Sequence, residues 1–173
     1  MITDGIIRLR APEPADVDSI YLWENDPDGR GGCTPVSRRQ VWDYVQAYDA
    51  DALRAGELRL LIVPEGETDA VGCIDLYETD ARNRRAGVAV YIDPAHRRRG
   101  YARAALTLML HHAKRDLGLH QLWAHVAADN APSLALFAAC GFKAAGCLRS
   151  WLRRGNRWTD VRVLQHLEAA EHP

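Results

Sequence analysis

The residues of this chain best suited to chemistry stand in one run, Tyr91-Ile92-Asp93-Pro94-Ala95-His96-Arg97-Arg98-Arg99-Gly100-Tyr101-Ala102-Arg103. An apolar stretch of strand length, ending in Val90, Tyr91 and Ile92, stops at Pro94, and a helical pattern opens at Gly100. The start of a helix leaves backbone N–H groups without partners and carries partial positive charge, so it is a natural seat for an anion. Gly100 removes the side chain that would keep an anion off the backbone, and Ala102 keeps the next inward position small. Arg97, Arg98, Arg99 and Arg103 add charge, and a guanidinium offers two parallel hydrogen bonds to phosphate oxygens. The chemistry implied is a grip on a diphosphate. Taken alone, such an arginine run also describes a solvated basic turn. The run lacks the glycine-lysine signature of nucleoside triphosphatases and the three spaced glycines of dinucleotide folds, so the phosphate belongs to another ligand.

A second group with chemical potential is Asp75, in the apolar run Gly72-Cys73-Ile74-Asp75-Leu76. Strand alternation puts Asp75 and Tyr77 on one face. A carboxylate among apolar neighbours needs a partner, either a cationic amine or water relay, or a structural arginine such as Arg10 or Arg59. Both readings stay open. Trp23, Glu24, Asp26 and Asp28 bring aromatic and acidic groups to a glycine-rich segment, which suits a cationic ligand. Trp151, Trp158 and Asp160 either shape the same pocket or close a hairpin. Cys140 precedes a helix-ending glycine and reads as a packed small hydrophobe rather than a nucleophile. The cysteines Cys33, Cys73, Cys140 and Cys147 show no paired spacing, and His111 and His112 point apart on a helix, so neither a metal site nor a disulfide framework is expected. The cysteines are expected reduced and mostly buried.

These residues need elements to position them. Ile6 to Leu9 reads as a first strand, and Pro12 and Pro14 precede a helical pattern over Ala15 to Trp23. Residues 25 to 35 read as loop, and Ser37 caps a helix that extends toward Gly56. Leu58 to Val63, Ala70 to Tyr77 and Ala86 to Ile92 read as strands, the last two forming a hairpin. A helix over Gly100 to Leu117, a strand over Gln121 to Val126, a helix from Asn130-Ala131-Pro132 to Gly141, and strands over Lys143 to Leu152 and Trp158 to Leu167 complete the chain. The order β-α-α-β-β-β-α-β-α-β-β predicts one α/β domain over residues 1–173 with a mixed, largely antiparallel sheet. The strands flanking the helix at Gly100 should be parallel neighbours, and ligands favour the place where such strands end.

Composition agrees. The 173 residues are 47% hydrophobic and 26% charged with a formal net charge of −1, which suits a globular core and gives no general attraction to nucleic acid. No stretch approaches the ~20 apolar residues of a membrane span and the start carries no signal-peptide pattern, so the expected location is the cytoplasm.

The loop resembles that of the GNAT superfamily of N-acetyltransferases, whose acetyl-CoA motif Gln/Arg-x-x-Gly-x-Gly/Ala is matched by Arg97, Gly100 and Ala102. Asn130, Ser133, Leu136, Gly141 and Phe142 match a second family segment, Asn-x-x-Ala/Ser-x-x-Leu/Phe-x-x-x-x-Gly-Phe. The resemblance spans nearly the whole chain and is closest to the spermidine/diamine and ribosomal-protein N-terminal acetyltransferases. It implies a V-shaped opening between the two parallel strands, a backbone bulge near Val90 to Ile92, and pantetheine pairing with Val90, Tyr91 and Ile92. The loop from Arg97 to Arg103 would hold the pyrophosphate, with Asn130, Ser133 and Phe137 along the pantetheine; Asn130 is equally suited to a helix cap alone.

Two family residues are replaced. Gly87 stands where a glutamate often acts as base, and Phe137 where a tyrosine often protonates the thiolate. The expected catalytic groups are therefore Asp75 and, as thiolate donor, Ser133, with Glu24, Asp75 and Tyr77 binding the acceptor and backbone N–H near Val90 polarising the carbonyl. The expected reaction is direct acetyl transfer from acetyl-CoA to a primary amine in a ternary complex, the amine being a polyamine, another small amine or a protein N-terminus. The alternative is a CoA-binding sensor without catalysis. A homo-oligomer is compatible with the sequence, which carries no pattern demanding one.

Overall fold

The apolar run at Leu58 forms an inner strand, third in order, of an eight-stranded sheet. The computed structural model describes residues 2–26, 35–48 and 56–167. In chain order the elements are β1 (Ile2–Thr3), β2 (Ile7–Arg10), α1 (Val17–Glu24), α2 (Arg38–Gln46), β3 (Leu58–Pro64), β4 (Gly72–Asp80), β5 (Arg85–Ile92), α3 (Tyr101–Arg115), β6 (Gln121–Ala127), α4 (Ala131–Ala139), β7 (Lys143–Arg154) and β8 (Arg157–Leu167). The predicted elements are present within a few residues of their expected ends, except that α2, expected to extend toward Gly56, stops at Gln46 with Ala47 as its C-cap. The two-residue β1 was not foreseen, because two residues carry no periodicity. Most of the glycine-rich loop and the segment leading to Gly56 lie outside the described residues.

Helices cover both faces of the sheet, and strand alternation sorts the side chains between them. Leu60, Ile62, Ile74, Leu76, Val88, Leu122, Ala124 and Val126 point toward α3 and α4, where Leu106, Met109 and Phe137 complete one core. Leu61, Cys73 and Tyr91 point the other way and pack on Ile20 and Trp23 of α1 and Val41 and Val45 of α2. Burial from both sides explains why β3 reads as apolar throughout except at Arg59. Ser37 caps α2 by accepting from the Gln40 amide.

The strand order is β1-β2-β3-β4-β5-β6-β8-β7. Every neighbouring pair is antiparallel except β5 with β6, which are parallel as predicted. That contact is short, running from Arg85↔Gln121 to Gly87↔Trp123. Past it, β5 stays with β4 as far as Ile92, and β6 stays with β8 as far as Ala127. The sheet is two antiparallel halves hinged at one short parallel contact, and it opens between Val88–Ile92 and the end of β6. The expected bulge near Val90 is absent: the β4–β5 register is regular from Gly72↔Ile92 to Tyr77↔Gly87, and the irregularity falls between Tyr77 and Asp80, where Glu78 takes a positive φ of 49°. Each strand following a different antiparallel partner opens the sheet without a bulge in β5.

Close approach of β4 to β5 depends on Gly72. A Cβ there would fall on the Tyr91 carbonyl oxygen, a backbone atom that cannot swing aside. Gly72→Ala is expected to cost about 2–3 kcal/mol, read as a lowered denaturation midpoint. Gly146→Ala, where a Cβ meets nothing within 4 Å, should leave the midpoint nearly unchanged.

Candidate active site

The loop after β5 is held by its own polar groups. The Asp93 carboxylate accepts from the Ala95 amide at 2.9 Å and from the Trp23 indole N–H at 3.0 Å, tying the loop to α1. Arg97 donates through Nε to the Ile92 carbonyl at 3.0 Å, and its guanidinium carbon stands 5.9 Å from the Tyr91 ring centre. Arg98 and Gly100 take left-handed conformations, φ 64° and 84°, which wrap the chain into the first turn of α3. Gly100 is the N-cap, and no side chain caps this helix, whereas the Ser37 and Asn130 side chains cap α2 and α4. The first turn of α3 holds no acidic residue; Arg103 lies there exposed, as are Arg97, Arg98 and Arg99 before it. Four exposed cations around an uncapped helix start would repel one another without an anion to share. The arrangement fits a diphosphate.

At the point where the sheet opens, Tyr77 of β4 lies across β5. Its ring covers Gly87, where a Cβ would stand 2.5 Å from ring carbons Cε2 and Cζ. Beyond Gly87 the ring meets Trp123 of β6 edge-on, centroids 5.0 Å apart, and the Tyr77 hydroxyl hydrogen-bonds with the His125 backbone. Tyr77 therefore spans three strands at the vertex of the opening. Burial, reinforced by the Glu78 charge, pushes its hydroxyl up to about 12. The volume a side chain at position 87 would need is filled by the tyrosine.

On the α1–α2 side, next to the opening, lies a cavity of about 500 Å³ whose lining includes Glu24, Tyr44, Glu57, Arg59, Asp75 and Ala89. Asp75, 6% exposed, receives Nε and Nη2 of Arg59 at 3.0 and 3.2 Å. Arg59 also reaches Glu24 at 2.8 Å. Burial works against the Arg59 charge, but Asp75 outweighs it and holds the guanidinium firmly protonated. Of the two readings of Asp75, the structure shows the arginine pair, with Arg59; Arg10 instead binds Asp16 at 2.7 Å. With both oxygens turned to Arg59, Asp75 is a fixed element of the cavity's field. Burial also pushes the Tyr44 hydroxyl up to about 12.

Other expected residues fall as follows. Glu24 and Tyr77 line the cavity. Val90 is half-buried and Tyr91 and Ile92 are buried, with the Tyr91 hydroxyl donating to Asp26 at 2.8 Å. Tyr101 and Ala102 are half-buried against the core. Asn130 caps α4 by accepting from the Ser133 amide at 3.2 Å, and Ser133 sits half-buried in that first turn. Phe137 is 3% exposed and packs edge-on against Phe142, so its ring belongs to the core. Trp151 and Trp158 are exposed on the β7–β8 hairpin, and Asp160 accepts from the Ser150 amide there, closing the hairpin. Cys73 is buried, but Cys140 is half-buried and Cys147 exposed, so the described cysteines are not mostly buried as expected; β7 is an edge strand largely in solvent. Asp28 and Cys33 lie outside the described residues. Sequence reading missed Tyr44, Glu57, Trp123 and His125. Alternation along Gln121–Ala127 would have put Trp123 and His125 opposite the buried Leu122, Ala124 and Val126. Glu57, just before the strand at Leu58, left no such signal.

A sheet opened between parallel strands, next to a cationic helix start and an acidic cavity, fits a transferase acting on a phosphate-bearing acyl donor. The model of the acetyltransferase (GNAT) domain matches residues 7–143, and the chain belongs to that family. It is an acetyl-CoA-dependent N-acetyltransferase. It is 28% identical over 111 residues to a spermidine N(1)-acetyltransferase of Vibrio cholerae, a match spanning 64% of each chain and so just under two thirds of that relative. A spermidine N(1)-acetyltransferase of Escherichia coli K12 is 26% identical over 169 residues, 96% of this chain and 90% of that one. The fold superposes with a TM-score of 0.82 on the Vibrio cholerae spermidine N-acetyltransferase in complex with CoA and spermine, at 23% identity over 95% of this chain and 96% of that one. No helix among the described residues is long and apolar enough to cross a membrane.

Proposed function

We propose that the acceptor is a small amine carrying more than one positive charge, a di- or polyamine, and that it binds in the cavity lined by Glu24, Glu57 and Asp75. The observation that carries this is the cavity's charge: among the described residues, three carboxylates share it with one guanidinium, that of Arg59. A bound ammonium meets a surplus of negative charge beside Ala89, next to the Val90–Ile92 backbone along which the pantetheine arm runs. Tyr44 adds an aromatic wall for a cation. The spermidine acetyltransferase relatives support the same class. The loop Arg97–Arg103 and the α3 amides hold the pyrophosphate, Ser133 lies along the pantetheine as a candidate donor to the thiolate, and transfer is direct within a ternary complex. Asp75 acts through Arg59 and the field of the cavity.

The test is CoA thiol release by purified protein with acetyl-CoA and a panel of amines. Spermidine, spermine and diamines should be turned over with kcat/KM at least tenfold above amino sugars, amino acids and peptide N-termini. Glu57→Gln should raise KM for spermidine about fivefold, the equivalent of about 1 kcal/mol for one partly solvated charge pair, with kcat little changed. Turnover confined to single-charge amines or to a peptide N-terminus would overturn the reading.

A further inference from the structure

Amine acetylation requires a group that takes a proton from the incoming ammonium, because only the neutral amine has a lone pair for attack. The groups first in line are occupied here. Position 87 is glycine with the Tyr77 ring on it, Tyr77 itself keeps its proton to about 12, and both Asp75 oxygens face Arg59. His125 is differently placed. It lies on β6 two residues past Trp123, the last β6 residue paired with β5, on the arm of the opening that faces Ala89. Alternation puts it on the Trp123 and Tyr77 side, and it is exposed while Ala124 and Val126 beside it are buried. Its ring rests on Trp123, centroids 4.7 Å apart, and its backbone is tied to the Tyr77 hydroxyl. An imidazole is thus held in place across the opening from the cavity wall.

We propose that His125 is the proton acceptor of the acetyl transfer. This rests on the amine reading above. The His125 imidazole takes one proton from the acceptor ammonium, directly or through one water. The freed amine nitrogen attacks the thioester carbonyl carbon; the C–N bond forms, the C–S bond breaks, and the remaining excess proton passes from nitrogen to the departing thiolate, giving CoA thiol. The imidazolium then returns its proton to solvent. Imidazole is the side chain suited to this exchange near neutral pH. The described residues around it on this face are Tyr77 from β4, Gly87 and Ala89 from β5, Trp123 on its own strand, Val163 of β8 and Gly146 of β7. Charged groups on the same face lie further along: Asp75, paired with Arg59, Arg85 of β5, paired with Asp80, and Lys143, in register with Gln165.

The experiment compares wild type, His125→Gln and His125→Ala on the amine the wild type turns over best, from pH 6 to 10, with acetyl-CoA affinity measured separately by calorimetry. His125→Gln should lose about 100-fold in kcat/KM at pH 7, bind acetyl-CoA as wild type does, and narrow the deficit as pH rises and solvent supplies neutral amine. Added imidazole should restore part of the activity of His125→Ala in proportion to its concentration. An active wild type with His125→Gln within threefold of it at pH 7, or an unchanged pH profile, overturns the role of His125 and leaves the acceptor reading standing. A wild type that turns over no amine removes both.

Discussion

Replacing Arg59 with Met is expected to destabilise the protein by about 3–5 kcal/mol, the usual consequence of removing one partner from a buried ion pair. Arg59 has 17% of its side-chain surface exposed and Asp75 9%, so solvent screens neither. Without the guanidinium, Asp75 keeps its burial and loses the two hydrogen bonds that justify it, and Glu24 loses its 2.8 Å partner. The melting temperature should fall by roughly 10 °C or more in a chain of this size. A second variant checks the cause: Asp75→Asn in the Arg59→Met background should regain part of the loss, since without the guanidinium a neutral amide costs less to bury than a carboxylate. If the single variant melts like wild type, the pair does not hold the cavity together.

Placing a side chain at position 87, even a glutamate, is expected to harm this protein. A side chain at position 87 must displace the Tyr77 ring, which sits 2.5 Å from the Cβ position and is held beyond it by Trp123 and the His125 backbone. Gly87→Ala should cost about 1–3 kcal/mol through overpacking, and Gly87→Glu at least as much. Both should lower kcat/KM by about 100-fold, because moving Tyr77 frees the vertex from which His125 is placed, and a misplacement of about 1 Å is enough for a loss of that size. Tyr77→Ala makes room, so its combination with Gly87→Ala should be less destabilised than the two single losses added together, a coupling of about 0.5–3 kcal/mol in a double-mutant cycle. A Gly87→Glu enzyme more active than wild type would show that the tyrosine is a passive filler.

Both effects involve contacts between strands, and that is where sequence reading stopped. The helix starts at Ser37, Gly100 and Asn130 were visible because capping residues and glycine act within one turn. The shared face of Asp75 and Tyr77 followed from alternation in one strand. The choice of Arg59 over Arg10 as the partner of Asp75 did not, since it depends on the register Arg59↔Asp75 between β3 and β4. The bulge inferred for β5 was misplaced for the same reason: the opening comes from β5 and β6 keeping different antiparallel partners, a property of the whole sheet.

The sequence by itself determined the element order, the parallel pair around α3 and the cationic, glycine-capped helix start at Arg97–Ala102, because each depends on residues adjacent along the chain or one helical turn apart. Only the tertiary structure decided that Tyr77 occupies the space above Gly87, that Asp75 is bound to Arg59 in a cavity with Glu24 and Glu57, and that His125 faces the opening. Those relations join residues up to two strands apart, and strand register, which sets them, is fixed by packing on both faces of the sheet at once.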